Sequence, residues 1–168
     1  MKLSSQEEYG LRCLLQIARH GDGASVTIPE ISRAEGITVE YTAKLLRILR
    51  RGGFIKSTRG QSGGYRLARP ADQIVVGDAL AALGGRLFEQ GFCDRHTGSE
   101  KHCTHSTDCA IRALWRAVQM AVDQVLRQTT LRDLLRQEEG MTVLVHNLIK
   151  AGGDRAAAEP TTMTGVYV

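Results

Sequence analysis

The stretch TIPEISRAEGITVEYTAKLLRILRRGGFIKSTRGQSGGYRLARP, residues 27–70, constrains the fold more than any other. Thr27 is a helix N-cap, Pro29 sits in the first turn, and Glu30 completes a capping box. That short helix stops near Gly36. Thr38 caps a second helix, which runs to about Arg51 and ends at Gly52 and Gly53. Leu45, Leu46, Ile48 and Leu49 form its apolar side, and Glu40, Lys44, Arg47 and Arg51 line a polar face. Phe54 to Thr58 and Tyr65 to Ala68 then read as short strands around the glycine-rich turn RGQSGG. Two helices joined by a tight turn and followed by a hairpin make a winged helix-turn-helix.

The flanking segments add helices. Residues 4–20 place Leu11, Leu14, Leu15 and Ala18 on one face, with capping boxes available at Ser4 with Glu7 and at Ser5 with Glu8. Residues 75–85, VVGDALAALGG, form a compact helix. A long helix starts around Asp108 and Cys109 and carries Ile111, Leu114, Trp115, Val118, Val122, Val125 and Leu126 as a sustained stripe. TTLRDLL adds a short amphipathic turn, and AGGDRAAAEPTTMTG reads as a flexible tail. The expected organisation is a winged domain at 1–85, a cysteine loop at 86–109, a dimerisation helix with a short following helix at 110–139, and a tail at 140–168. The fold class is mainly α with a small β-hairpin. One long helix cannot bury its stripe within so small a domain, so pairing with a second copy is expected.

The basic residues gather where such a domain meets nucleic acid. Net charge is only +4, so clustering matters more than the total. The wing carries Lys56, Arg59, Arg66 and Arg69, and Lys44, Arg47, Arg51 and the wing arginines are expected to neutralise phosphates. Thr38, Glu40, Tyr41 and Thr42, at the start of the second helix, are expected to face base edges in the major groove, and Arg59 to enter the minor groove. A two-fold dimer would read a palindromic site in double-stranded DNA. The N-terminus lacks the basic start and apolar core of a secretory signal, and no window reaches the length of a membrane span. A cytoplasmic location with reduced thiols is expected.

Three of the four cysteines lie in FCDRHTGSEKHCTHSTDC, residues 92–109. Cys93, Cys103 and Cys109 are interleaved with His96, His102 and His105. The segment is polar, so these are not core cysteines, whereas Cys13 reads as a small core hydrophobe. There is no C-x2-C knuckle of the kind common in zinc sites. Three thiolates and one further ligand also suit an iron–sulfur cluster, and by spacing alone zinc and iron–sulfur stand even, with a redox-active disulfide third.

These segments, in this order, resemble the IscR/NsrR-type family of bacterial winged-helix regulators over roughly residues 1–136. The opening MKLSSQEEYGLRCLLQIA, the RG..GGY wing, the helix VVGDALAAL, three cysteines before the long helix, and CAIRALWRAV followed by TTLRDLL carry the resemblance. It implies a homodimer crossed through the long helix, with an iron–sulfur cluster in each cysteine loop setting DNA affinity. Members resembling IscR take a fourth ligand from a histidine three residues after the last cysteine; that position here is Arg112. Members resembling NsrR use an acidic residue near the N-terminus that reaches across the dimer, and Glu8 stands at the matching position. The implied ligand set is Cys93, Cys103, Cys109 and Glu8, with His96, His102 and His105 as rivals for the fourth place. A 2Fe–2S centre is preferred over 4Fe–4S.

The reading is therefore a transcriptional regulator sensing iron–sulfur, redox or nitrosative status. Its alternative is a winged-helix regulator with a structural zinc or a thiol switch in the same loop. An enzyme is not expected: the chain lacks C-x-x-C and any phosphate-binding glycine loop. A winged-helix adaptor for protein partners is the remaining reading.

Overall fold

The computed structural model describes residues 3–21, 23–58, 60, 63–86, 88, 91–105 and 107–158. The helices are α1 (Ser5–Arg19), α2 (Ile28–Glu35), α3 (Val39–Arg51), α4 (Val76–Gly84), α5 (Ala110–Gln128) and α6 (Glu138–Ala158), and the strands are β1 (Ile55–Thr58) and β2 (Gly64–Leu67).

The caps follow local chemistry. At α1 the Ser4–Glu7 box forms: the Ser4 hydroxyl oxygen accepts the Glu7 N–H, and the Glu7 carboxylate accepts the Ser4 N–H at 2.8 Å. Glu8 is left exposed beside it. Thr27 and Glu30 form the same box at α2, and Thr38 caps α3. Gly36 closes α2 at φ 65°, the left-handed region that a side chain disfavours. The turn between α2 and α3 is thereby set by Gly36 and Thr38 within three residues.

Leu14, Ile17, Ile31, Leu45, Leu46, Leu49, Ile55 and Ile74 are buried together, so α1 packs across both helices of the helix-turn-helix. Gly10 of α1 lies directly against the Leu83 side chain of α4, a contact that leaves no room for a Cβ. The hairpin pairs Ile55 with Leu67 and Lys56 with Arg66, and Tyr65 exchanges backbone hydrogen bonds with Val26 at 2.8 and 2.9 Å. That bridge ties the wing to the segment before α2.

The domain boundaries differ from the expected ones. After α5 the chain returns to the winged domain: the Val76 N–H donates to Thr129 O (2.9 Å), and the Leu131 N–H donates to Ile74 O (2.8 Å). Leu131 is completely buried in the winged-domain core. A core of this domain thus needs a residue far beyond position 85. The tail expected from residue 140 is corrected too. Residues 140–158 lie in α6, which packs beside α5, with Gln124 Nε2 donating to Leu148 O at 3.1 Å. Residues 159–168 lie outside the described residues.

Candidate nucleic-acid interface and cysteine segment

The recognition helix offers a graded surface. Thr38, Glu40, Lys44, Arg47 and Arg51 are exposed, and Tyr41 is half-buried. Among the described residues Lys44, Arg47, Arg51 and Lys56 take part in no ion pair, so their charge stands open to an anion. The Lys44 ammonium lies over the Tyr41 ring, 5.9 Å from its centroid. Two expected contacts are corrected. Thr42 is fully buried, its hydroxyl donating to Thr38 O at 2.9 Å, because it shares a face with Leu45, Leu46 and Leu49. It packs the helix down and does not face a base edge. Arg69 is committed to structure: Nε donates to Gln73 O (3.0 Å), Nη1 donates to Gly53 O (3.3 Å), and the guanidinium lies over Phe54. Arg59 lies outside the described residues.

A residue that sequence reading overlooks sits behind this helix. Tyr9 of α1 meets Tyr41 edge-on, with centroids 6.2 Å apart and planes at 79°. Nothing in local periodicity announces the pair, since its partners are over thirty positions apart in the sequence.

The cysteine segment is held at its two ends. Upstream, the Phe88 N–H donates to Gln119 Oε1 of α5 at 3.0 Å, and the amide of this buried glutamine donates onward to Asp123 at 2.9 Å. Downstream, Cys109 is the N-cap of α5, and its Sγ accepts the Arg112 N–H at 3.3 Å. The sulfur thus takes the capping place that a side-chain oxygen usually holds at a helix start. Cys93 opens a 3-10 turn, Cys93–Arg95, and lines a cleft of about 490 Å³ with Phe88, Phe92, Arg112 and Arg116. His96 stacks on Phe92, with centroids 4.1 Å apart, and its Nδ1 lies 2.7 Å from Phe92 O. That commits one ring nitrogen and leaves Nε2. His102 and His105 are exposed.

The donor chemistry fits a thiolate-bound metal group. Cys93, Cys103 and Cys109 are free thiols, each part-exposed, whereas Cys13 is fully buried and its thiol is pushed up to about 12 by desolvation, with Glu35 adding to the effect. The chain thus keeps one inert cysteine and three accessible ones. Among the described residues, however, no three His, Cys, Asp or Glu side chains converge on a point that could hold an ion. The cysteine segment would have to draw its own ligands together on binding.

Exposed apolar residues mark a further face. Ile111, Leu114 and Trp115, three and four residues apart on one side of α5, are 63, 57 and 44% exposed. Such a row on one helix is the signature of a surface awaiting a partner. Among the described residues, no helix is long and apolar enough to cross a membrane.

The comparisons with known proteins agree with this geometry. A family described as "Rrf2: Iron-dependent Transcriptional regulator" matches residues 3–137. The protein rrf2 of Nitratidesulfovibrio vulgaris is 40% identical over 136 residues, which cover 81% of this chain and 88% of that one. IscR of T. potens has a TM-score of 0.64 at 29% identity, covering 80% of this chain and 86% of its own. CymR, the global cysteine regulator of B. subtilis, has a TM-score of 0.65 at 29% identity, covering 80% of this chain and 95% of its own. With a winged helix-turn-helix, an open basic recognition helix and a family match over most of its length, the chain belongs to the Rrf2 family and is a DNA-binding transcriptional regulator, not an enzyme.

Proposed function

We propose that this regulator acts as a homodimer on a palindromic promoter site, and that an iron–sulfur cluster held by Cys93, Cys103 and Cys109 sets its DNA affinity. Glu8 of the partner subunit is the proposed fourth ligand. The observation that carries the reading is the position of Cys109. It caps the same helix that exposes Ile111, Leu114 and Trp115, so a ligand sits at the root of the proposed dimer face. The cluster, when bound, supplies bonds to sulfur and carboxylate that oxidants or nitric oxide can break. The chain does the rest. Cys93 and Cys103 gather the loop against the start of α5, and Glu8 fastens it to α1 across the dimer. Losing these ties frees the loop and changes the population of dimers whose recognition helices are correctly spaced. The histidines are secondary, and His96 is the least available of them because Phe92 already holds its ring.

The likeness to CymR supports a second reading, in which the three accessible thiols act by oxidation without a metal. One experiment separates the two. Protein purified without oxygen is assayed for iron, sulfide and visible absorbance, beside Cys103→Ala. The expected result is a coloured protein with equal iron and sulfide, two of each per chain for the preferred 2Fe–2S centre, and loss of colour in the variant. A colourless protein with stoichiometric zinc would replace the cluster with a structural metal. A colourless, metal-free protein whose DNA affinity changes on thiol oxidation would establish the thiol switch.

A further inference from the structure

Five side chains from three helices form a continuous line behind the recognition helix. Glu35, at the end of α2, has a carboxylate only 8% exposed and accepts Arg12 Nε at 2.7 Å. Arg12 Nη2 also donates to Glu35 O at 3.4 Å, which fixes the guanidinium on the α2 C-terminus. The Arg12 guanidinium lies over the Tyr9 ring, 5.2 Å from its centroid. Tyr9 in turn presents itself edge-on to Tyr41, and Lys44 covers the Tyr41 ring at 5.9 Å.

Tyr41 is the large side chain at the DNA-facing start of α3, and its backbone N–H is already engaged by Thr38 Oγ1 at 3.2 Å. Its ring has two torsions to settle. Between Tyr9 and Lys44 one orientation is selected before DNA arrives. Without Tyr9 the ring would have to be ordered on binding, which lowers affinity only for complexes that need that orientation.

We propose that Tyr9, on a helix that does not itself enter the groove, is a positioning residue for sequence recognition and acts through Tyr41. The inference rests on α3 being the recognition helix. It concerns discrimination between sequences, not the phosphate contacts that any DNA provides. Tyr9→Leu keeps apolar bulk toward the core but removes the aromatic edge. Tyr9→Phe keeps the edge.

The probes are a duplex selected by the wild-type dimer from a randomised pool and a duplex of equal length with the selected positions scrambled. Tyr9→Leu is expected to bind the selected duplex about three- to tenfold more weakly, the range that one aromatic pair contributes. Binding to the scrambled duplex, and the salt dependence, should stay at wild-type values, because the number of neutralised phosphates is unchanged. Tyr9→Phe should bind both duplexes as wild type does. Tyr9→Leu in a Tyr41→Leu background should produce no additional loss. Equal weakening on both duplexes, or no weakening on either, would overturn the proposal and leave Tyr9 a packing residue. If the wild type itself enriches no sequence from the pool, the recognition-helix reading fails and the proposal falls with it.

Discussion

Replacing Leu131 with alanine should destabilise the winged domain from beyond α5. Leu131 is completely buried among the side chains of the helix-turn-helix core, yet it belongs to the connection between α5 and α6. Three backbone hydrogen bonds pin that connection: Val76 N–H to Thr129 O at 2.9 Å, Leu131 N–H to Ile74 O at 2.8 Å, and Arg132 N–H to Ala71 O at 3.2 Å. The site cannot collapse easily around a smaller side chain, so the cavity persists. Buried Leu→Ala changes cost roughly 2–5 kcal/mol, and about 3 kcal/mol is expected here. With a urea slope of about 2 kcal/mol per molar, the midpoint should fall by about 1.5 M. The assay is urea unfolding followed by circular dichroism at one fixed protein concentration, since the proposed dimerisation would make midpoints concentration-dependent. Leu135→Ala is the comparison: that side chain is 40% exposed, and its loss should cost less than about 1 kcal/mol. If the two variants unfold at the same urea concentration, Leu131 is not part of the core and the boundary drawn here is wrong.

Two further outcomes follow from the exposed and buried groups. Arg47→Ala removes one open cation from the recognition helix, so it should weaken binding to all duplexes alike and reduce the slope of log affinity against log salt by about 1; fluorescence anisotropy at several salt concentrations measures this, and an unchanged slope would remove Arg47 from the phosphate contacts. Under reducing, metal-free conditions iodoacetamide should modify Cys93, Cys103 and Cys109 and spare Cys13, whose buried thiol is raised to about 12 and stays protonated at neutral pH; mass spectrometry of the native and denatured protein reads the difference, and early labelling of Cys13 would contradict its place in the core.

The helix-turn-helix was legible because its signals are local. Thr27 with Glu30, Gly36 and Thr38 each act within a few residues, and the structure uses all of them. The start of α5 at Cys109 was legible for the same reason. Thr42 could have been placed by arithmetic: it stands three, four and seven residues before Leu45, Leu46 and Leu49, on the buried side of α3. Its polarity drew it toward the DNA face, and its hydroxyl turned out to be satisfied within its own helix. Arg69, Leu131 and Tyr9 were not legible in their roles. Their partners are set by tertiary folding, and charge or hydropathy at one position does not reveal them. The helix from 138 to 158 was obscured by Gly140, Gly152 and Gly153, residues of weak helix preference. In the cysteine segment the residue types were readable, but their arrangement was not, because ligand atoms in a polar loop take positions from the group they bind as much as from their neighbours.

The burial of Leu131 also bears on how the protein is made. A ribosome delivers the chain from its N-terminus, and small domains often fold while the rest is still being synthesised. Here every strand and helix of the winged domain precedes residue 85, but a core side chain arrives only at position 131. The nascent helix-turn-helix must wait, incompletely filled, until α5 has been added. Premature termination after the wing would release a chain without that last core residue, so an aborted product would make a poor competitor for the operator. The full core of the DNA-binding domain is therefore available only after the helix capped by Cys109 has been made.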